Sequence, residues 1–311
     1  MSEEIAQANG IEIAYETIGD PSNPPLLMIM GLGTQLIHWD IELCELLAQR
    51  GFWVIRFDNR DVGHSTKIDA PVPNVRRAML GLSFEAPYRL SDMAADTVGL
   101  ADHLGIQAAH VVGASMGGMI AQTLAIEHPE RVLSLTSIMS TTGERRVGRP
   151  KLRVMGVLMR RSPHEKEAFI DHFVRVFKMI GSRGFPFDEQ RVRRHAAEAY
   201  DRDHDPAGTG RQLGAIIASG DRTERLRSLH LPATVIHGRN DPLVPFRGGR
   251  ATAEAIPDAK LIAIEGMGHD MPRETWPQLV DAIAETAARA TARTVTSARG
   301  SESTESSAIR D

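Results

Sequence analysis

The sequence predicts an α/β fold: a mostly parallel central sheet with flanking helices, interrupted by one long helical insertion. Three observations carry that expectation. Short apolar runs alternate with helix-period segments along most of the chain. The run Leu26-Leu27-Met28-Ile29-Met30 is apolar on both faces, as a central parallel strand buried between helices must be. Residues 141–230 then break the rhythm with helical patterns and no convincing strand, before the alternation resumes at Ala233.

Taken in order, Ile11-Glu12-Ile13-Ala14-Tyr15 alternates with period two and reads as a half-exposed edge strand. The Leu26–Met30 run follows, ending in Gly31-Leu32-Gly33. Residues 39–50 read as a helix and Trp53-Val54-Ile55-Arg56-Phe57 as the next strand. Ser91 is the expected N-cap of a helix reaching about Leu104. His110-Val111-Val112 and the run from Val132 to Met139 are two further strands, separated by a helix. Beyond the insertion come strands at Ala233–His237 and Lys260–Ile264, and a helix from about Trp276 to Arg289. The division is then a core of residues 1–140 and 231–293, a helical cap of 141–230, and a tail of 294–311. The tail is rich in Ser, Thr, Ala and Glu with almost no large apolar group, so it is expected to be disordered.

Composition narrows the function classes. The chain has 311 residues, 42% of them hydrophobic and 24% charged, which suits a soluble globular protein. A net charge of −4 gives no case for nucleic-acid binding. The single cysteine, Cys44, excludes an intramolecular disulfide and a thiolate metal cluster. No apolar run approaches the ~20 residues that span a bilayer, and the acidic start, Met1-Ser2-Glu3-Glu4, lacks a hydrophobic signal region. A cytoplasmic location is expected.

The most informative stretch is Gly113-Ala114-Ser115-Met116-Gly117-Gly118, between an apolar strand and the helical run from Met119. This is a Gly-x-Ser-x-Gly nucleophile elbow. A serine at such a corner sits in a strained backbone conformation, and the glycines let strand and helix close on each other. Serine hydroxyl is a poor nucleophile until a base takes its proton, and imidazole can take it and return it. The next strands supply the partners: Asn240-Asp241-Pro242 follows one, and Gly268-His269-Asp270 follows the other. Alone, each is an ordinary turn. The order Ser115, Asp241, His269, each just past a strand, is the specific signal. Asp270 is expected to point elsewhere, and Asp221 has no strand before it. The developing oxyanion needs preorganised donors. The amides of Met116, after the nucleophile, and of Leu32, in the glycine loop, are the candidates.

These motifs resemble the α/β-hydrolase superfamily from about residue 9 to residue 289. Asp58-Asn59-Arg60-Asp61-Val62-Gly63-His64-Ser65 is similar to that family's Asp-x-Arg-Gly-x-Gly-x-Ser loop, with Asp61 where glycine is usual. The loop reads as structural, with Arg60 bracing the core, Asp58 capping or pairing, and His64 an ordinary loop residue. Together with Met30-Gly31-Leu32-Gly33 and Gly266-Met267-Gly268-His269, it resembles a bacterial esterase branch that includes aclacinomycin methylesterase and mycobacterial lipase-like proteins. The resemblance implies hydrolysis of a small-molecule carboxylic ester with no cofactor and no metal. Carbon–carbon bond hydrolases, aminopeptidases and cofactor-free perhydrolases use the same triad and stand as alternatives, as does a non-catalytic receptor on this fold.

The insertion is basic, with fourteen Lys/Arg against six Asp/Glu between residues 141 and 194. Arg145, Arg146, Arg149, Lys151, Arg153, Arg160 and Arg161 cluster early. Attraction of an anionic substrate or an anionic membrane surface is one reading, and solvated helix faces with i,i+4 pairing is the favoured one. Met155, Val157, Leu158 and Met159, with Phe169, Phe173, Val174, Phe177 and Met179, are expected to form its apolar underside. The long loop 69–89 is a candidate rim of the pocket. Oligomeric state is not legible.

Overall fold

The structure is a computed structural model that describes residues 2–75, 77, 84–148, 154, 156 and 162–308; beyond 292 it describes the backbone alone. Arg149, Lys151, Arg153, Met155, Val157, Leu158, Met159, Arg160, Arg161 and the last three residues of the tail lie outside the described residues.

The strands are β1 (Glu4–Ala8), β2 (Ile11–Ile18), β3 (Pro25–Ile29), β4 (Trp53–Phe57), β5 (Ala109–Ala114), β6 (Val132–Ile138), β7 (Ala233–Gly238) and β8 (Lys260–Ile264). They form one sheet in the order β1-β2-β4-β3-β5-β6-β7-β8. β2 is antiparallel to both its neighbours, and every pair from β4 to β8 is parallel. The chain moves outward from β3 to β4 in one direction and from β5 to β8 in the other. The crevice between the carboxyl ends of β3 and β5 is therefore the topological switch point, where open α/β sheets hold ligands.

Helices α1 (Ile41–Gln49) and α8 (Trp276–Ala308) pack on one face, with Leu43, Leu47, Leu279 and Ile283 against Leu26, Met28 and Val112. Helices α2 (Leu90–His103), α3 (Met116–Glu127) and α7 (Phe246–Ala255) cover the other, with Met93, Leu100, Ile120 and Ala255 against Leu27, Ile29 and Val111. Alternate residues of β3 thus serve opposite cores, which accounts for its unbroken apolar run.

Three expectations need correction. The Ile11 strand is longer than expected and not an edge: β1 covers it, and Ile13, Ala14 and Tyr15 are buried. Ser91 does not cap α2. The N-cap is Arg89, whose amide donates to the Asp92 carboxylate at 2.7 Å, an acid three residues into the helix closing the turn on itself. Finally, α8 continues helically to Ala308, past the expected end near Arg289 and through the segment read as disordered. Of the helix residues whose side chains are described, the last that α8 buries is Ala290.

Between β6 and β7 lie α4 (Lys166–Ile180), α5 (Glu189–Arg202) and α6 (Pro206–Ser219). α4 buries Ile170 and Val174, and α5 buries Ala196 and Ala199. Phe173 of α4 lies with its ring 5.7 Å from that of His38, so part of the expected apolar underside is a seam with the core.

Candidate active site

Ser115 stands at the corner between β5 and α3. Register places Gly113, two residues earlier, level with Ile29 on β3 and Ser137 on β6. Its backbone has φ 56° and ψ −116°, a left-handed conformation that costs about 1–3 kcal/mol for a residue other than glycine. The surrounding hydrogen bonds hold it there. Its amide donates to the Ile138 carbonyl at 2.9 Å, and its own carbonyl accepts from the Ser140 hydroxyl at 2.7 Å. A Cβ on Gly113 would overlap the Gly117 backbone, one on Gly117 would overlap the Ile29 carbonyl, and one on Gly118 would come within 2.6 Å of Ser140 Cβ. The three glycines are demanded by the closeness of strand and helix.

His269 follows β8 and Asp241 follows β7, so both reach the same carboxyl edge. Ser115 Oγ lies 2.9 Å from His269 Nε2, and His269 Nδ1 lies 2.7 Å from Asp241 Oδ2. The other carboxylate oxygen, Oδ1, accepts the Leu243 and Val244 amides, each at 2.8 Å. The turn after β7 thereby orients the carboxylate so that Oδ2 is left for the imidazole. Gly268 is needed beside it, because a Cβ there would collide with the Gly181 backbone.

The three residues that the sequence singled out are thus brought together in one hydrogen-bonded line. A fourth, His237, was missed. It is fully buried, Nε2 donates to the Val244 carbonyl at 2.8 Å, and Nε2 stands 3.6 Å from Asp241 Oδ2. Burial holds its imidazole below the ordinary range, so it remains neutral and serves as a hydrogen-bond donor within the turn that carries Asp241. A histidine ending an otherwise apolar strand was the only signal, and it identifies no partner.

The loop after β3 lies against Ser115: a Cβ on Gly31 would sit 3.3 Å from Ser115 Cβ. Its amides are almost all committed. Gly33 N donates to Gln212 Oε1 at 2.8 Å, Thr34 N to the Gly31 carbonyl at 3.4 Å, and Leu36 N to Asp58 Oδ1 at 2.6 Å. Among the described residues, no acceptor faces the Leu32 amide. Met116 is the first residue of α3, so its amide lacks an intrahelical acceptor and belongs to the electropositive end of that helix.

The Asp58–Ser65 loop is a junction between core and insertion. Asp58 accepts from Leu36 N, His64 N and Arg202 Nη2, the last at 2.6 Å. Arg60 forms a two-point contact with Asp96, both bonds 2.6 Å. Asp61, at φ 73°, keeps the backbone that glycine would favour. Its carboxylate accepts from Tyr88 Oη at 2.5 Å and from Arg211 of α6 at 2.7 and 3.0 Å. The exception to the usual glycine is therefore a tether for the insertion. His64 contacts Glu3 and the Arg202 carbonyl. Asp221 caps its own turn at Thr223. Asp270 turns to the insertion, accepting from Ser182 Oγ at 2.5 Å.

The His269 loop is bound to the insertion through backbone as well. His269 N donates to the Ile180 carbonyl at 2.8 Å, and Gly184 N to the Gly266 carbonyl at 3.0 Å. The inserted helices therefore grip the carboxyl edge at two places, near β8 and near β3.

Residues 24–272 match the family model described as the alpha/beta hydrolase fold. The chain belongs to the α/β-hydrolase family. It is 31% identical over 291 residues to rhodomycin D methylesterase DauP of Streptomyces sp. (strain C5), covering 86% of this chain and 92% of that one. It is 30% identical over 294 residues to rhodomycin D methylesterase DnrP of Streptomyces peucetius, with the same coverage. Among solved structures it resembles 2-hydroxy-6-oxo-6-phenylhexa-2,4-dienoate hydrolase from Rhodococcus sp. strain RHA1, with a TM-score of 0.73 at 19% identity over 92% of this chain and 98% of that one. That last likeness speaks for the fold alone. Within the family, the chain is an enzyme of the carboxylic ester hydrolase class.

Proposed function

We propose that this enzyme hydrolyses carboxylic esters through an acyl-enzyme on Ser115, with His269 as base and acid and Asp241 as its orienting partner. The observation that carries the reading is the line Ser115 Oγ–His269 Nε2, 2.9 Å, and His269 Nδ1–Asp241 Oδ2, 2.7 Å. Ser115 Oγ attacks the ester carbonyl carbon as its proton passes to His269 Nε2. Charge develops on the carbonyl oxygen, where the Leu32 and Met116 amides receive it. Collapse breaks the bond to the alcohol oxygen, which takes the proton from His269. Water then attacks the acyl-enzyme with His269 as base, returning Ser115 and releasing the acid. Asp241 keeps Nδ1 protonated and stabilises the imidazolium.

The insertion serves as a cap over this edge. The two methylesterase relatives point to a methyl ester as substrate. Several of the insertion's basic residues are spent on ion pairs, such as Lys166–Asp201, Arg191–Asp40 and Arg193–Asp171, which favours solvated, paired faces over a membrane-binding one. No helix among the described residues is long and apolar enough to cross a membrane.

The test is hydrolysis of p-nitrophenyl esters from acetate to palmitate, and of methyl esters, by wild type and Ser115→Ala. Turnover in wild type that disappears in the variant, and covalent labelling of Ser115 by an organophosphonate, are the expected results. A folded wild type that neither turns over any ester nor takes the label would overturn the reading.

A further inference from the structure

The catalytic line is built from core loops alone, yet the loop that would hold the oxyanion is not secured by the core alone. Its two ends are. The Met30 carbonyl accepts from Asn59 Nδ2 at 3.0 Å, and Leu36 N donates to Asp58 at 2.6 Å. Its middle is held from the insertion. Gly33, at φ 64°, donates its amide to Gln212 of α6 at 2.8 Å. Thr209, one turn earlier on the same helix, closes over Gly33, and a Cβ on the glycine would come within 2.7 Å of its hydroxyl.

Gln212 is fully buried, and its amide can adopt only one orientation. Oε1 faces the Gly33 N–H, while Nε2 donates to the Arg60 carbonyl at 2.7 Å. A carbonyl accepts only and a backbone N–H donates only, so exchanging the two ends of the side chain would break both bonds. A buried polar group satisfied at both ends is rigid, and leaving either partner unpaired is unfavourable. Arg60 in turn is held by Asp96, so the clamp leads from the loop into the core.

The consequence for chemistry follows from the peptide plane. Gly33 N is bonded to the Leu32 carbonyl carbon, so the direction of the Gly33 N–H sets the plane next to the Leu32 amide. With Gly33 N turned to Gln212, and with Thr34 N and Leu36 N engaged elsewhere, Leu32 N is left to the site. We propose that Gln212 is a positioning residue: by holding the Gly33 amide from the cap side, it aims the Leu32 amide at the oxyanion. The cap is then part of the catalytic apparatus as well as its cover. This rests on the esterase reading above.

The experiment compares wild type with Gln212→Met, which keeps length and loses both hydrogen bonds, and Gln212→Asn, which keeps polarity and loses reach. A trifluoromethyl ketone adds Ser115 Oγ reversibly to give a tetrahedral oxyanion, its proton passing to His269. The parent methyl ketone occupies the site with little addition. Expected is a fall in kcat of about 10- to 100-fold, smaller than the ~100- to 1,000-fold of losing a donor outright. KM should stay within about threefold. The trifluoromethyl ketone should weaken by the same factor as kcat, and the methyl ketone should not. Amide exchange in the 31–35 segment should quicken in both variants while that of 236–241 does not. Folded variants that keep wild-type kcat and trifluoromethyl ketone affinity overturn the proposal. So does an equal loss for both ketones, which marks a merely structural tether. Wild type without Ser115-dependent turnover removes the esterase reading itself, and this inference with it.

Discussion

Asp241 and Asp61 are both fully buried aspartates, and each accepts backbone hydrogen bonds, yet they are built for different work. Asp61 faces a permanent cation: Arg211 meets it at two points, with Tyr88 Oη and the Ile68 amide completing its shell. Among the described residues, Asp241 faces no arginine. Two backbone amides hold one oxygen, and the other meets the His269 imidazole, which in the proposed reaction gains and loses a proton in each half. A carboxylate neutralised by guanidinium locks two pieces of chain together. A carboxylate left to an imidazole responds to a charge that comes and goes. The same side chain thus becomes a fastener in one loop and an electrostatic partner in the other, according to what the fold places opposite it.

The same substitution at both positions breaks the comparison most sharply. Asp241→Asn preserves shape and can still accept the Leu243 and Val244 amides, but it cannot hold the imidazole in the required tautomer or stabilise its charged form. We expect kcat on a p-nitrophenyl ester to fall by about 10⁴-fold, with little change in Tm. A loss of under tenfold in a folded protein would mean that the aspartate is dispensable to the chemistry.

Asp61→Asn should do the reverse. Asparagine tolerates the left-handed backbone and keeps the Tyr88 contact, but Arg211 loses its closest countercharge. Asp205 still reaches Arg211 at 3.1 Å, so the cost should be about 2–3 kcal/mol rather than the ~3–5 kcal/mol of a buried charge left without a partner. Urea unfolding measures that loss. The kcat per folded molecule should remain within a few-fold of wild type. If activity instead fell as far as in Asp241→Asn with stability intact, the distinction between fastener and electrostatic partner would not stand.

The two aspartates were unequally legible in the sequence. Asp241 was read from local context: a turn just past a strand, in chain order with Ser115 and His269. The parallel sheet then delivers all three to one edge, so order and strand position were enough to bring them together. Asp61 could be seen only as an exception to a glycine. Its partner lies on α6, 150 residues away, and nothing in a linear pattern announces an ion pair across that distance. Gln212 was silent for the same reason, being 179 residues from Gly33. Local physics explains the misplaced elements too. β1 reads Glu-Ile-Ala-Gln-Ala, too short and polar to signal a strand, and it is a strand because β2 offers it an edge. With β1 unseen, β2 was mistaken for the edge itself. The strands Trp53–Phe57 and Lys260–Ile264, which depend on nothing beyond their own apolar runs, fell at the expected residues.

Asp270 sharpens the comparison, because it is a half-buried aspartate with less compensation than either. It neighbours His269 in sequence but turns to Ser182, whose hydroxyl and amide donate to it. Among the described residues no guanidinium faces it, and burial raises its carboxyl above the ordinary range against the pull of those bonds. The folded state therefore holds this proton more tightly than the unfolded chain does. Its contribution to stability is complete below the unfolded value near 3.8 and is lost as pH rises through the raised folded value. Asp270→Asn keeps an oxygen for Ser182 and removes the ionisation. The Tm of the variant should match wild type in acid, then exceed it by a margin that opens as pH rises and levels off once the wild-type carboxyl has ionised. The kcat should stay within about twofold, since Asp270 is turned from the reacting atoms. A gap in Tm that does not vary with pH would show that the carboxylate is as well matched to its surroundings as Asp61 is, and that a serine hydroxyl and one amide suffice where Asp61 uses an arginine.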